Sequence, residues 1–195
     1  MPSTPEMPST PEIPSTPEMP STSITSSTPL TPGTPLTFRS TGEDDTVRLG
    51  RALAETLPPG TVVTLLGTLG AGKTRLVRAV AAALGIDPEM VVSPTFVLTR
   101  EYQGNRLPEG DFPLYHFDAY RLRDEDEFDQ LGPDEYFDGA GVSFVEWADR
   151  VALSIPPDHL EISIAVTGEE TREMTIVRRG NFPLGVIEAI RERIA

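Results

Sequence analysis

One lysine stands among fifteen arginines in this chain of 195 residues, and it lies in the stretch GTLGAGKTRL, residues 67–76. Gly67, Gly72, Lys73 and Thr74 have the spacing G-x-x-x-x-G-K-[ST], a frame that cradles phosphate groups. Each residue type has a physical reason. Glycines let successive backbone N–H groups curl around anionic oxygens, and a helix that starts just after them adds partial positive charge. Lysine supplies a compact ammonium on a mobile stem, whereas a planar guanidinium is too bulky for the same nest. The threonine hydroxyl is a hard oxygen ligand suited to Mg2+. On composition alone a single lysine meets this frame about once in a thousand. The phosphate contacts are therefore assigned to Gly67, Thr68, Leu69, Gly70, Ala71, Gly72, Lys73 and Thr74.

Such a loop needs a carboxylate near the metal, and two candidates end apolar strands: Asp118 in LYHFDAYRL and Glu146 in VSFVEW. A carboxylate at the carboxyl end of a buried strand beside the loop is placed to hold Mg2+ or its waters. A helix cap or a structural ion pair is the plain alternative for each. In VVSPTFVLT, residues 91–99, Ser93 and Thr95 offer small hydroxyls where a switch segment reaches a terminal phosphate; the alternative is a connecting turn. The two histidines, His116 and His159, have no second ligand at metal-binding spacing, so both are expected to be structural. Trp147, the sole tryptophan, follows Glu146 and either stacks near the ligand or fills the core.

The elements that must position these groups are legible around them. TVVTLLG is a β-branched, apolar strand of the buried type leading into the loop. GKTRLVRAVAAALG is a helix with Leu76, Val77, Val80 and Leu84 on its core face, closed by Gly85. Upstream, TFRS reads as a short strand and STGEDDTVRLGRALAETL as a helix, with Ser40 and Glu43 at capping-box spacing and Leu49, Leu53 and Leu57 on one face. Residues 96–103, 113–122 and 141–147 read as strands, and the acidic stretch DEDEFDQLGPDEYFDG as short helices. HLEISIAVTGEETREMTIVRR is a hairpin around Gly-Glu-Glu, and PLGVIEAIRERIA a final amphipathic helix. The expected fold is α/β: a P-loop NTPase-like three-layer sandwich with a mixed sheet.

The first 35 residues differ in kind. PSTPEM, PSTPEI and PSTPEM repeat in succession, and the Pro/Ser/Thr composition opposes both helix and central strand. With few apolar side chains to offset ordering entropy, residues 1–35 are expected to be a disordered, partly polyproline-like tail and residues 36–195 a single P-loop domain. The net charge of −14 argues against non-specific nucleic-acid binding by this chain alone. The chain has no cysteine, no apolar run long enough to span a bilayer and no signal-peptide pattern, so a cytoplasmic protein without membrane attachment is expected.

GTLGAGKT, SPTF, HFDAYRL and VEW, in that order and after the EDDTVRLGRALA helix, resemble the TsaE (formerly YjeE) family, P-loop ATPases of threonylcarbamoyladenosine formation in tRNA. The resemblance covers about residues 36–180. It implies binding of ATP and ADP with Mg2+, and partnership with the transferase TsaD and its companion TsaB. The ATPase would reset that pair between rounds, with tRNA touched only through the complex. Lys73 would grip the phosphates and Thr74 and Glu146 would hold Mg2+. Asp118 would orient water or the outer shell of the metal, and Ser93 and Thr95 would form the switch. The roles of Asp118 and Glu146 are exchangeable at this stage. Thr68 departs from the acid that the family usually carries at that position. Two other classes stand beside this one. A small-molecule kinase calls for an arginine-rich lid, which the acidic region after the switch lacks. A non-hydrolysing nucleotide module needs no second carboxylate.

Deleting residues 1–34 is expected to leave both the melting temperature and nucleotide affinity nearly unchanged. A fall of about 5 °C or more, roughly 1–2 kcal/mol for a domain of this size, would show that the segment supports the fold.

Overall fold

A computed structural model describes residues 34–195; residues up to 33, most of the expected tail, lie outside it. The chain runs β1 (Leu36–Ser40), α1 (Glu43–Thr56), β2 (Thr61–Leu66), α2 (Lys73–Ala83), β3 (Thr99–Tyr102), β4 (Asn105–Arg106), β5 (Gly110–Asp111), β6 (Leu114–Asp118), α3 (Glu125–Asp129), α4 (Pro133–Phe137), β7 (Val142–Glu146), β8 (Leu160–Val166), β9 (Arg172–Arg178) and α5 (Leu184–Ile194). Seven strands form one sheet in the order β1-β9-β8-β2-β7-β6-β3, and β4 and β5 form a small separate hairpin. The four central strands β8, β2, β7 and β6 are parallel, and the outer strands pair antiparallel. This is the mixed sheet expected from the sequence.

The parallel centre is apolar because it is covered on both faces. Val62 and Val63 in β2, Phe117 in β6, and Phe144 and Val145 in β7 are all buried. On one face Val63, Leu65 and Phe144 pack with Leu49 and Leu53 of α1, Leu76 and Val80 of α2, and Ile187 and Ile190 of α5. On the other, Val62, Phe117 and Val145 meet Phe128 of α3 and Phe137 of α4. Phe117 lies edge-on to Tyr136 and Phe137, with ring centres 5.4 and 5.9 Å away. The acidic stretch thus folds as two short helices whose aromatic residues close this face while their acids stay in water.

Local details differ from the sequence expectation for physical reasons. Ser40 does not cap α1: it is the last residue of β1, and its hydroxyl bonds Gly42 O (2.8 Å) and Thr46 Oγ1 (3.1 Å). The helix begins at Glu43, and Asp45 turns back to accept from the Thr41 amide and hydroxyl at 2.7 and 2.8 Å. The strand expected from residue 96 starts only at Thr99, because Val97 and Leu98 N–H groups fold back on Pro94 O. The strand expected over 113–122 ends at Asp118, where Ala119 N pairs with Glu146 O. Among the described residues, no helix is long and apolar enough to cross a membrane.

Helices α1 and α2 meet at Gly50. A Cβ placed there would press on Ala79 Cβ and lie 2.6 Å from the Ala79 carbonyl carbon and 2.8 Å from Val80 N. Glycine within a helix usually destabilises by about 1 kcal/mol relative to alanine, so this position favours close approach over helix propensity. Gly50→Val is expected to lower stability by about 1–3 kcal/mol through overpacking, read as a lower melting temperature. An unchanged melting temperature would contradict this packing.

Candidate functional site

The site lies at the carboxyl ends of β2, β7 and β6. Their parallel register places Leu65 opposite Glu146 and Glu146 opposite Asp118. Partners in parallel register point to the same face of a sheet, and here that face carries α2. Strand β2 therefore delivers the loop 67–72 to the edge where both acids emerge, and α2 starts at Lys73 directly above them.

The loop owes its shape to its glycines. Gly67 and Gly72 have φ of +142° and +113°, a region that side chains rarely adopt. A Cβ on Gly67 would also lie 2.6 Å from Ile164 O of β8. The resulting curl brings two carbonyls over the lysine. Lys73 Nζ donates to Gly67 O (2.7 Å) and Thr68 O (3.1 Å) and sits 3.7 Å from the centre of the Trp147 ring. The side chain is buried, and no carboxylate among the described residues comes within ion-pair distance of it. Burial pushes the ammonium below the usual lysine range, and the carboxylates of Glu146, Asp118 and Asp149 act in the opposite direction without restoring it. This is a buried cation held by dipoles and an aromatic face, an arrangement that an anion would improve.

The sequence left Asp118 and Glu146 exchangeable, and the geometry gives them different partners. Glu146 Oε1 accepts from Thr74 Oγ1 at 2.7 Å and pairs with His116 Nε2 at 2.8 Å. Asp118 Oδ2 accepts from Ser93 Oγ and Thr95 Oγ1, both at 2.6 Å, and its Oδ1 accepts from Tyr120 N at 2.9 Å. Glu146 is thus the acid beside the threonine, and Asp118 ties down the 93–95 segment. A pocket of about 390 Å3 brings together Lys73, Thr74, Ser93, Thr95, Asp118 and Glu146, with Trp147 and Tyr120 on its wall. The hydroxyl of Thr74 and the carboxylate of Glu146 are hard oxygen donors, a set that fits Mg2+, which takes one or two protein oxygens and fills its shell with phosphate and water.

Among the described residues, two other than glycine have positive φ, Leu98 at +68° and Trp147 at +59°. One ends the 93–98 segment and the other follows Glu146. Strain of this kind, about 1–3 kcal/mol per residue, concentrates at functional sites. At Trp147 the turn lays the indole across Lys73 and against Tyr120, with ring centres 4.9 Å apart; the indole lines the pocket and also packs, partly buried, against the core on the α3–α4 face.

His116, expected to be structural, is fully buried and bonded to Glu146, which places it against the candidate site. His159 stays outside this constellation, with Nδ1 2.6 Å from Pro156 O. Sequence reading also missed a second cavity of about 440 Å3 that shares Gly70 and Gly72 with the first and is bordered by Ser40, Glu43, Thr46, Arg75 and Arg172. Arg172 Nε donates to Ala71 O at 3.0 Å. These residues come from β1, α1, α2 and β9, so only the folded topology brings them to the loop.

The family profile described as "Threonylcarbamoyl adenosine biosynthesis protein TsaE" matches residues 40–174. The chain is 42% identical over 144 residues to the tRNA threonylcarbamoyladenosine biosynthesis protein TsaE of Bacillus subtilis, covering 74% of this chain and 86% of the relative. It is 39% identical over 137 residues to the protein of the same description from Treponema pallidum, covering 70% and 96%. The crystal structure of Bacillus subtilis YdiB superposes with a TM-score of 0.67 at 34% identity, covering 84% of this chain and 98% of that one.

Because Lys73 lies over the only tryptophan, a phosphate that draws the ammonium away must change the indole's surroundings. Adding ADP is expected to alter the emission of Trp147 in the wild-type protein. In Lys73→Ala that response should be lost while the melting temperature stays within a few degrees. A wild-type spectrum indifferent to nucleotide would place the ligand elsewhere.

Proposed function

The chain belongs to the TsaE family, and we propose that it is the Mg2+-dependent ATPase that serves threonylcarbamoyladenosine formation in tRNA, working on a TsaB–TsaD pair in the cytoplasm. The observation that carries this reading is the convergence at one sheet edge of Lys73, curled under its glycine loop, with the Thr74–Glu146 bond and the Asp118–Ser93–Thr95 cluster. The names of its relatives supply the pathway; the site supplies the chemistry.

The proposed mechanism uses each group in turn. Backbone N–H groups of the loop and the amino end of α2 receive the β- and γ-phosphates of ATP. Lys73 leaves the Gly67 and Thr68 carbonyls for phosphate oxygens, so a buried cation gains its anion on binding. Mg2+, held by Thr74 and Glu146, would neutralise charge on the same phosphates. Asp118 would orient an attacking water or a water of the bound metal, and Ser93 and Thr95 would exchange their bonds to Asp118 for contact with the terminal phosphate. The nucleoside end extends over Gly70 and Gly72 into the second cavity, where Glu43 and Arg172 offer an acceptor and a donor. Breaking the Asp118 contacts on binding gives the 93–98 segment two states, and Phe96 and Val97 within it are largely exposed, the apolar surface that a partner protein would read. Phosphoryl transfer to a small molecule has less support: Arg123 is engaged by Glu127 and Arg121 lies over Phe96, so neither forms a phosphate-clamping lid.

Phosphate release, measured with and without TsaB and TsaD, tests the reading. Hydrolysis should rise with the pair present, and Lys73→Ala should abolish it. Glu146→Gln should bind ADP without metal as before and lose the tightening that Mg2+ brings. Asp118→Asn should bind Mg-ATP nearly normally and hydrolyse it about a hundredfold more slowly. Either variant should stop repeated rounds of tRNA modification in a reconstituted mixture while sparing the first. A wild-type chain that neither binds the pair nor raises its multi-round yield would refute the role.

A further inference from the structure

His116 sits in the middle of β6, two residues before Asp118, with none of its surface exposed. Its ring reaches diagonally across to the neighbouring strand on the same face of the sheet, and Nε2 lies 2.8 Å from Glu146 Oε1. The other ring nitrogen, Nδ1, is buried without a hydrogen-bond partner. Since the partner of Nε2 is a carboxylate oxygen, the tautomer that satisfies this bond carries its hydrogen on Nε2 and leaves a lone pair at Nδ1. An imidazole retained only for packing is poorly chosen here: a carbon side chain of similar size would remove a buried, unpaired polar atom. What the imidazole does that carbon does not is hold Glu146.

We propose that His116 is a positioning residue for Glu146, fixing the carboxylate so that it faces the metal when nucleotide binds. The proposal rests on the reading of Glu146 and Thr74 as the metal-holding pair. Oε1 of Glu146 takes both bonds, one from Thr74 and one from His116, while Oε2 takes neither. The Thr74 hydroxyl is the oxygen that must turn toward the metal, and its hold on Glu146 changes when it does. The bond from His116 comes from the sheet floor, from a strand whose neighbours Phe117 and Phe144 are fully buried, and does not depend on the ligand. It is therefore the contact that keeps the carboxylate aimed through the cycle. Ligand orientation by a buried histidine–carboxylate bond is a general device of metal sites.

The test is a Mg2+ titration of the ADP-bound protein, followed by Trp147 emission, in His116→Leu, His116→Gln and His116→Asn. Glutamine places an N–H near the position of Nε2, whereas asparagine places it near Nδ1 and cannot reach Glu146. The Mg2+ concentration for half-maximal response should rise about tenfold or more in His116→Leu and His116→Asn, the loss expected for a hydrogen bond to a charged group. His116→Gln should stay within about threefold of wild type, and metal-free ADP affinity should change by less than about twofold in all three, since phosphate contacts come from the loop. At saturating Mg2+, kcat should fall in the leucine and asparagine variants with little change in KM for ATP. If His116→Leu does not fold, the contrast between glutamine and asparagine decides. A wild-type Mg2+ response in His116→Leu, or identical behaviour of glutamine and asparagine, would overturn the assignment alone. A wild-type protein with no Mg2+ response would overturn the metal reading and this inference with it.

Discussion

Strands β2, β7 and β6 run parallel and end level with one another, and the site follows from that register. Leu65, Glu146 and Asp118 occupy neighbouring positions across the three strands, all pointing to the face on which α2 lies. A one-residue slip of β7 would send Glu146 to the opposite face, among the aromatic side chains over α3 and α4. The buried pattern of each strand forbids that slip, because Phe144 and Val145 pack into different cores. The geometry of the candidate site and the hydrophobic order of the sheet are thus fixed by the same pairing.

Upon this edge the chain sets one cation and two acids without pairing them directly. Lys73 is satisfied by the Gly67 and Thr68 carbonyls and the Trp147 face, Glu146 by Thr74 and His116, and Asp118 by Ser93, Thr95 and the Tyr120 amide. Had Lys73 closed on either acid, binding would have to break a buried ion pair, and the loss of one partner from such a pair is strongly unfavourable. Neutral hydroxyls and carbonyls are easier to release. Leu98 and Trp147, the two non-glycine residues with positive φ among the described residues, stand at the ends of the segments that must hold this arrangement.

Much of this was readable from the sequence where residue type and spacing are dictated by chemistry. The loop 67–74, the strand before it and the helix after it have one physical solution, and Asp118 and Glu146 were identifiable because each ends an apolar run. Three things were not readable. The different partners of the two acids depend on which of them faces Thr74, a matter of register across strands far apart in sequence. His116 looked like an isolated imidazole because its partner is thirty residues away. Arg172 and Glu43 border the second cavity only because β9 and the start of α1 are brought beside the loop by the outer strands of the sheet. The capping box at Ser40 failed for a local reason: the hydroxyl was already committed to Gly42 and Thr46 within the β1–α1 turn.

On the proposed reading, this edge receives the phosphates of a Mg2+-bound nucleotide by exchanging its internal bonds for bonds to the ligand. A crystal structure of the chain with Mg2+ and a non-hydrolysable ATP analogue measures this directly. Lys73 Nζ is expected on phosphate oxygens and away from the Gly67 and Thr68 carbonyls, with the metal beside Thr74 and Glu146. Lys73 still on those carbonyls, or terminal phosphates bound away from the loop 67–74, would contradict it.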